Sequence, residues 1–231
     1  MELVKCDTVD LEVPSSAEWV LEGVCVPGEE EIIGPHSNPV GYYDMVGQFP
    51  CVKINHITHR RDPMWYATME MVPPFDHNYI ALLPVEGEVL ADLRAKIPEV
   101  NDVVVTPNMS YVVQLSVDGA DKPHYHFGKY VINAVWGAAG RWARTAKMVT
   151  VVGPDVNPYD QNSVEWAIMT RVQPYSDTLI NRSAMAMVLD PSPVRSPQGG
   201  AFESEQIGID ATIKVPERHT EYAPTSNATA E

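Results

Sequence analysis

The sequence predicts a mixed α+β and α/β fold in two parts: an antiparallel β region followed by a layer of alternating strands and helices. Three observations predict it. Short β-like runs without helical periodicity fill the chain from Leu3 to Tyr66; Pro73-Pro74 marks a change of texture; beyond it, strand-like and helix-like segments alternate.

In the first part, TVDLEV alternates polar and apolar residues, WVLEGVCV reads as a second strand and CVKINHITHR as a third, each ended by Pro, Gly or charge. Together they predict an antiparallel sheet or part of a barrel. The stretch EEEIIGPHSNPVGYYD, Glu29 to Asp44, concentrates Gly, Pro, Ser and Asn and predicts a loop. In the second part, EGEVLADLRAKIP is a helix with Val89, Leu90, Leu93 and Ile97 on one face, stopped by Pro98. VNDVVVTP and SYVVQLSVDG are strands, KYVINAVWGAAGRWAR a small-residue-rich helix and AKMVTVVG an apolar strand. PYDQNSVEWAIMTRV is a helix that places Val164, Ala167, Ile168 and Val172 on one face. After Arg195 only QIGIDATIKVP is apolar, and APTSNATAE predicts a frayed end.

Composition narrows the function classes. The 231 residues carry 45% hydrophobic and 20% charged residues, ordinary for a globular protein, with 20 prolines implying short elements and fixed turns. A net charge of −15 argues against nucleic acid or an anionic membrane as partner. No run of about 18 apolar residues exists, and the N-terminus lacks the pattern of a signal peptide. Cys6, Cys25 and Cys51 form no CxxC and fit reduced thiols, so a cytoplasmic location is expected.

Few side chains suggest chemistry by themselves. His124 and His126 share one side of an extended segment, and His56 and His59 lie three apart, but neither pair has an evident carboxylate or cysteine to complete a metal set. Arg141, Arg144 and Lys147 are the densest basic cluster; they read equally as cations complementing a helix C-terminus or as a socket for a phosphate or carboxylate. Glu22, Asp177 and Asp210 sit in apolar or turn settings, where an acid is more often a turn or cap residue than a ligand. No GxSxG or HExxH motif occurs.

Taken in order, LVKCDTVDLEVPSSAEWVLEGVCVPGE, GPHSNPVGYYD, INHITHRRDP, VEWAIMTRVQPYSDT and GIDATIKVP resemble the UbiD family of decarboxylases, from Leu3 to Pro216. The resemblance is to the C-terminal half of that family. It implies the later part of a flavin-reductase-like split β-barrel (1–70), an α/β domain (71–216) and a flexible tail (217–231). It also implies an enzyme of the carboxy-lyase class using prenylated FMN on an aromatic or unsaturated acid. The remaining half would come from a partner chain carrying the divalent metal ligands (for Mn or Mg) and the catalytic arginine. The family loop reads Glu-Gly-Pro-aromatic-Gly-acid; here Gly34, Pro35, Gly41 and Tyr42 are kept while Ile33 and Asn38 replace the acids. An amide cannot donate the proton a decarboxylase needs, so the resemblance implies a substitute acid, either His36 beside Asn38 or a residue of a partner chain. By the same resemblance Arg141 and Arg171 lie near the cofactor, and Asp76, His77, Asn78 and Thr145 line the substrate pocket. Arg171, Asp177 and Asp210 surround a monovalent cation (K or Na). The alternative is a structural or regulatory subunit of such a complex. A fragment of a longer enzyme and a free-standing flavin binder are weaker readings.

Overall fold

The computed structural model describes residues 1–43, 46–116, 127–137, 140–187, 189–193 and 203–214, with backbone alone at Arg141 and Glu203. The chain forms two compact units, Met1–His77 and Asn78–Glu231.

The first unit consists of two antiparallel pairs. Strands β1 (Leu3–Lys5) and β2 (Glu12–Pro14) pair with Leu3 opposite Pro14. Strands β3 (Trp19–Ile33) and β4 (Gly47–His59) form a long hairpin, from Trp19 opposite His59 to Ile33 opposite Gly47. Two expectations need correction. Of TVDLEV only the end is strand, because residues 6–11 form the link between β1 and β2. Conversely, Pro27 and Gly28 do not end β3. The chain absorbs them as a register shift between Cys25 and Glu30, with Gly28 at φ 83°, and runs on to Ile33. Glu29 to Ile33 are therefore strand, and the loop proper begins at Gly34. Among the described hydrophobic side chains of this unit, only Phe75 is buried.

The second unit is a five-stranded sheet of order β5-β6-β7-β9-β8. Strands β5 (Val100–Val105) and β6 (Tyr111–Leu115) are antiparallel, β6, β7 (Met148–Val152) and β9 (Glu203–Ala211) are parallel, and β8 (Thr178–Met185) closes one edge antiparallel to β9. Helices α1 (Asp76–Lys96) and α2 (Phe127–Trp136) contribute Val89, Leu93, Ile97, Val131, Ile132 and Val135 to one core, with Val103, Val105, Val113, Leu115, Val149 and Val151 of the sheet. Helix α4 (Gln161–Arg171) supplies Val164 and Ala167 to a second core with Val104, Val112, Val152 and Ala211. Alternate residues of each strand thus serve opposite faces, and both faces are covered, which is why these strands read as unbroken apolar runs.

Two helix expectations also shift. Helix α1 begins ten residues before Glu86 and carries Pro84 inside it. The bond that Pro84 cannot make falls on the carbonyl of exposed Ile80, where water can satisfy it. The small-residue-rich segment is not one helix: α2 stops at Trp136 and a single turn, α3 (Arg141–Arg144), follows. Strand β8 was not evident in the sequence, because its side chains are mostly half-buried or exposed at the sheet edge. A single turn, α5 (Pro174–Asp177), joins α4 to it. Two glycines let α2 lie close on β9. A Cβ on Gly208 would collide with Ile132, and one on Gly128 with the Asp210 carboxylate.

Candidate functional site

In the first unit the loop after β3 is built around Asn38. Its backbone N–H donates to Tyr42 O at 2.8 Å, while its Oδ1 accepts from the N–H groups of Val40 (3.1 Å) and Tyr42 (3.0 Å). Asn38 is buried, Ser37 bridges to Tyr43, and Gly34 and Gly41 take positive φ. A Cβ on Gly41 would meet the Val72 backbone, so glycine is required there twice over. Asn38 therefore shapes the loop through its carbonyl oxygen, a task an asparagine performs by mimicking a backbone turn. His36 is exposed on the same loop, as is Ile33 at its root.

The expected substrate-wall residues divide between the units. Asp76 Oδ1 accepts from Met69 N and His77 N, and His77 Nδ1 lies 3.3 Å from Glu70. Asn78 and Thr145 belong to the second unit; Asn78 is buried, and Thr145 Oγ1 donates to Trp142 O at 3.1 Å at the end of α3.

The second unit gathers its charged groups at the carboxyl ends of the parallel strands, where open α/β sheets bind ligands. Just beyond β7, Asp155 accepts two bonds from Arg171, at 3.2 and 2.5 Å, and the guanidinium stacks on Trp166 at 4.8 Å. This bidentate pairing holds the Asp155 carboxyl below the usual range, and Arg171 is itself buried. At the end of β9, Asp210 Oδ1 accepts from Thr212 N and Oγ1. The buried ammonium of Lys214 sits among Asp210 O (2.6 Å), Thr212 O (2.9 Å) and Asp210 Oδ1 (3.3 Å). Asp177, fully buried, accepts from Gln173 N and Ser176 Oγ.

This geometry bears on the cation and phosphate roles expected of these residues. Arg171 has no lone pair for a cation, and its bonds go to Asp155, a residue that no sequence motif had singled out. Lys214 already places one positive charge among three oxygens at Asp210, so the set Arg171, Asp177 and Asp210 does not fit a monovalent ion. Of the basic cluster, Lys147 is paired with Asp190 at 2.8 Å and is no free socket. Arg144 is exposed; the Arg141 side chain, His124, His126 and the tail from residue 217 lie outside the described residues. The turn GPDVNPYD after an apolar strand and the lysine four residues beyond Asp210 were the available sequence signals for Asp155 and Lys214.

The structure also brings together a group that spacing alone could not reveal. Glu22 on β3 stands directly opposite His56 on β4, and Asp7 from the β1–β2 link reaches both. His56 Nε2 lies 3.0 Å from Asp7 Oδ2, and one ligand atom from each of the three residues falls within 4.8 Å of the others. Glu22 is buried, accepting from Thr8 Oγ1 and N (2.6 Å each) and Asp7 N (2.9 Å). The Thr8 hydroxyl, then the Asp7 N–H, lower its carboxyl to about 2, against the opposing effect of burial. The absence of carboxylates around His56 expected from the sequence is thus corrected. His59 diverges from it, bonding Arg60 O and stacking on Trp19 at 4.8 Å.

Two family models cover almost all of these elements. Residues 1–73 match the Rift-related domain of 3-octaprenyl-4-hydroxybenzoate carboxy-lyase, and residues 78–211 match its C-terminal domain. The chain belongs to the UbiD family. Among solved UbiD-class structures, HmfF from Pelotomaculum thermopropionicum in complex with FMN is 33% identical at a TM-score of 0.78, over 96% of this chain and 48% of that one. Vanillic acid decarboxylase from Sedimentibacter hydroxybenzoicus in open form is 28% identical at a TM-score of 0.80, over 100% of this chain and 48% of that one. An evolved dimeric form of HmfF in complex with prFMN is 30% identical at a TM-score of 0.74, over 98% and 46%. This UbiD chain therefore spans about half the length of the relatives it matches. Among the described residues no helix is long and apolar enough to cross a membrane.

Proposed function

We propose that this chain is one subunit of a heteromeric UbiD-like carboxy-lyase acting on an aromatic or unsaturated carboxylic acid with prenylated FMN. A second UbiD-like chain would supply the other half, with its divalent metal ligands and catalytic arginine. The observation that carries this reading is the uncovered first unit. Its long β3–β4 hairpin leaves Leu21, Val24, Val52, Ile54 and Ile57 exposed and buries one hydrophobic side chain among those described. Such a ladder, whose outer edges pair with no other strand among the described residues, gains little stability without further strands. The relatives that this chain resembles are about twice its length. In that assembly the first unit completes a split barrel, and Arg141 contacts the cofactor phosphate. Asp76, His77, Asn78 and Thr145 line the substrate wall, and His36 moves the proton. Arg171 positions the Asp155 turn beyond the carboxyl end of β7 rather than ligating an ion, and the flavin supplies the electron sink.

A specific observation favours a second reading, a structural or regulatory subunit. Asn38 replaces a family acid and its Oδ1 is taken up by the loop backbone. Native co-purification with mass and absorbance measurement tests the first reading. A stoichiometric partner with flavin bound in the complex supports it; a flavin-free chain without a partner overturns it. In the assembled complex, His36→Gln should lower turnover at least about 100-fold if this imidazole is the general acid. An unchanged rate passes the chemistry to the partner and leaves the structural role.

A further inference from the structure

The cluster formed by Asp7, Glu22 and His56 has no part in the proposed decarboxylation. Its charge is unbalanced. Among the described residues no lysine or arginine touches Asp7 or Glu22: Lys5 is paired with Asp10, Lys53 with Glu29, and Arg60 with Glu18. One imidazole faces two carboxylates, and the half-buried Cys6 thiol beside them is pushed up, by burial first and then by the charges of Glu22 and Asp7.

The geometry gathers three possible ligand atoms within 4.8 Å of one another. Glu22 and His56 are cross-strand partners, so their side chains rise from one face of the hairpin, and a register shift follows immediately at Gly23. Glu22 does not bond His56. Its carboxylate instead clamps the backbone of Asp7 and Thr8, which fixes Asp7 over the hairpin. Among the described residues Oε1 accepts one bond and keeps a lone pair for a further partner. The 3.0 Å between His56 Nε2 and Asp7 Oδ2 is a hydrogen-bond length. It is also close to the roughly 3.3 Å edge between two N/O ligands of a tetrahedral zinc ion. An ion can therefore take the place of the proton these atoms share with small side-chain movement.

We propose that Asp7, Glu22 and His56 bind a divalent transition cation of the zinc class, with water in the remaining position. One imidazole nitrogen with two carboxylate oxygens suits Zn²⁺ or Co²⁺ better than Mg²⁺, which prefers an all-oxygen shell. The bound ion balances both carboxylates and ties the β1–β2 link to the β3–β4 hairpin.

The experiment is calorimetric titration of the EDTA-treated chain with ZnCl₂, in parallel with CoCl₂ followed by visible absorption. One equivalent should bind, with the intense d–d bands of low-coordinate Co²⁺. Asp7→Asn and His56→Gln should each weaken binding by at least about 100-fold. His59→Gln, which alters the divergent histidine, should leave binding unchanged. Circular dichroism of the metal-free Asp7→Asn chain should match the parent, since that side chain is exposed. No stoichiometric binding would mean an imidazolium–carboxylate clip only and overturn the proposal. Binding that survives both substitutions, or is lost in His59→Gln, would overturn it equally by placing the ion elsewhere.

Discussion

The two units solve the same burial problem to different degrees. In the second, alternate residues of β5, β6 and β7 feed two cores, and helices cover both faces, so that Leu93, Val113, Val131 and Val149 are fully enclosed. In the first, the longest strand pair among the described residues presents Leu21 and Ile57 to solvent as cross-strand partners about half exposed. Apolar content does not separate them; closure does. A sheet with helices on both faces stands alone, whereas a hairpin with exposed apolar side chains gains little stability by itself.

The largest consequence is in local stability. Amide exchange should be slower in β6 and β7 than in β1 and β2 of the unpartnered chain by on the order of a thousandfold or more, because opening the former costs the global unfolding energy. Equal protection in both units would break the comparison and require a core in the first that its exposed side chains do not suggest.

Packing in the second unit gives the next effect. Gly208→Val sets a branched side chain where α2 rests on β9, against Ile132. It should cost about 2–3 kcal/mol, read as a lowered denaturant midpoint with little change in slope. A loss below about 0.5 kcal/mol would mean that α2 can lift from the sheet.

How much of the molecule is legible in its sequence follows from the same contrast. The helix faces Val89–Leu93–Ile97 and Val164–Ala167, and the apolar strands β5 to β7, can be read because local periodicity and burial agree in a covered sheet. Strand β8 cannot be: TLINRSAM is an edge with no apolar side of its own. Pro27-Gly28 reads as a strand end because a bulge and a turn use the same residues. At the site, the turn chemistry of Gly34 and Gly41 is visible. The partners Asp155 of Arg171 and Lys214 of Asp210 are not, since residue types do not declare which charges meet. The Asp7, Glu22 and His56 group lies deepest, because β3 and β4 must pair and the β1–β2 link must dock on them before those atoms come together.

A smaller effect concerns the ion pair beyond the carboxyl end of β7. The Asp155 carboxyl is held below its ordinary value of 3.8 by Arg171, so its contribution to stability is complete above that value and fades as pH falls through the lower folded one. Asp155→Asn should cost about 1–2 kcal/mol near pH 7, less than a fully buried pair would, since the Asp155 side chain is 42% exposed and water screens it. Parent and variant should converge once the pH has fallen below the lowered folded value. Denaturation curves at several pH values check this; a pH-independent gap would assign the loss to packing.

The smallest effect on the chain itself is the most informative about the first unit. Leu21→Ser with Ile57→Ser removes an exposed cross-strand pair on the face opposite Glu22 and His56. If nothing in this chain covers that face, the unpartnered protein should change stability by no more than about 0.5 kcal/mol, as surface substitutions do. Capture of the partner half should nevertheless fall sharply, because a covered hairpin would lose two apolar anchors at the centre of its contact. A large drop in the melting temperature of the unpartnered chain would show the face already buried, in a self-association that dilution would reverse. Unchanged stability with unchanged partner capture would move the interface away from the hairpin, and the exposed ladder would then no longer call for a second chain.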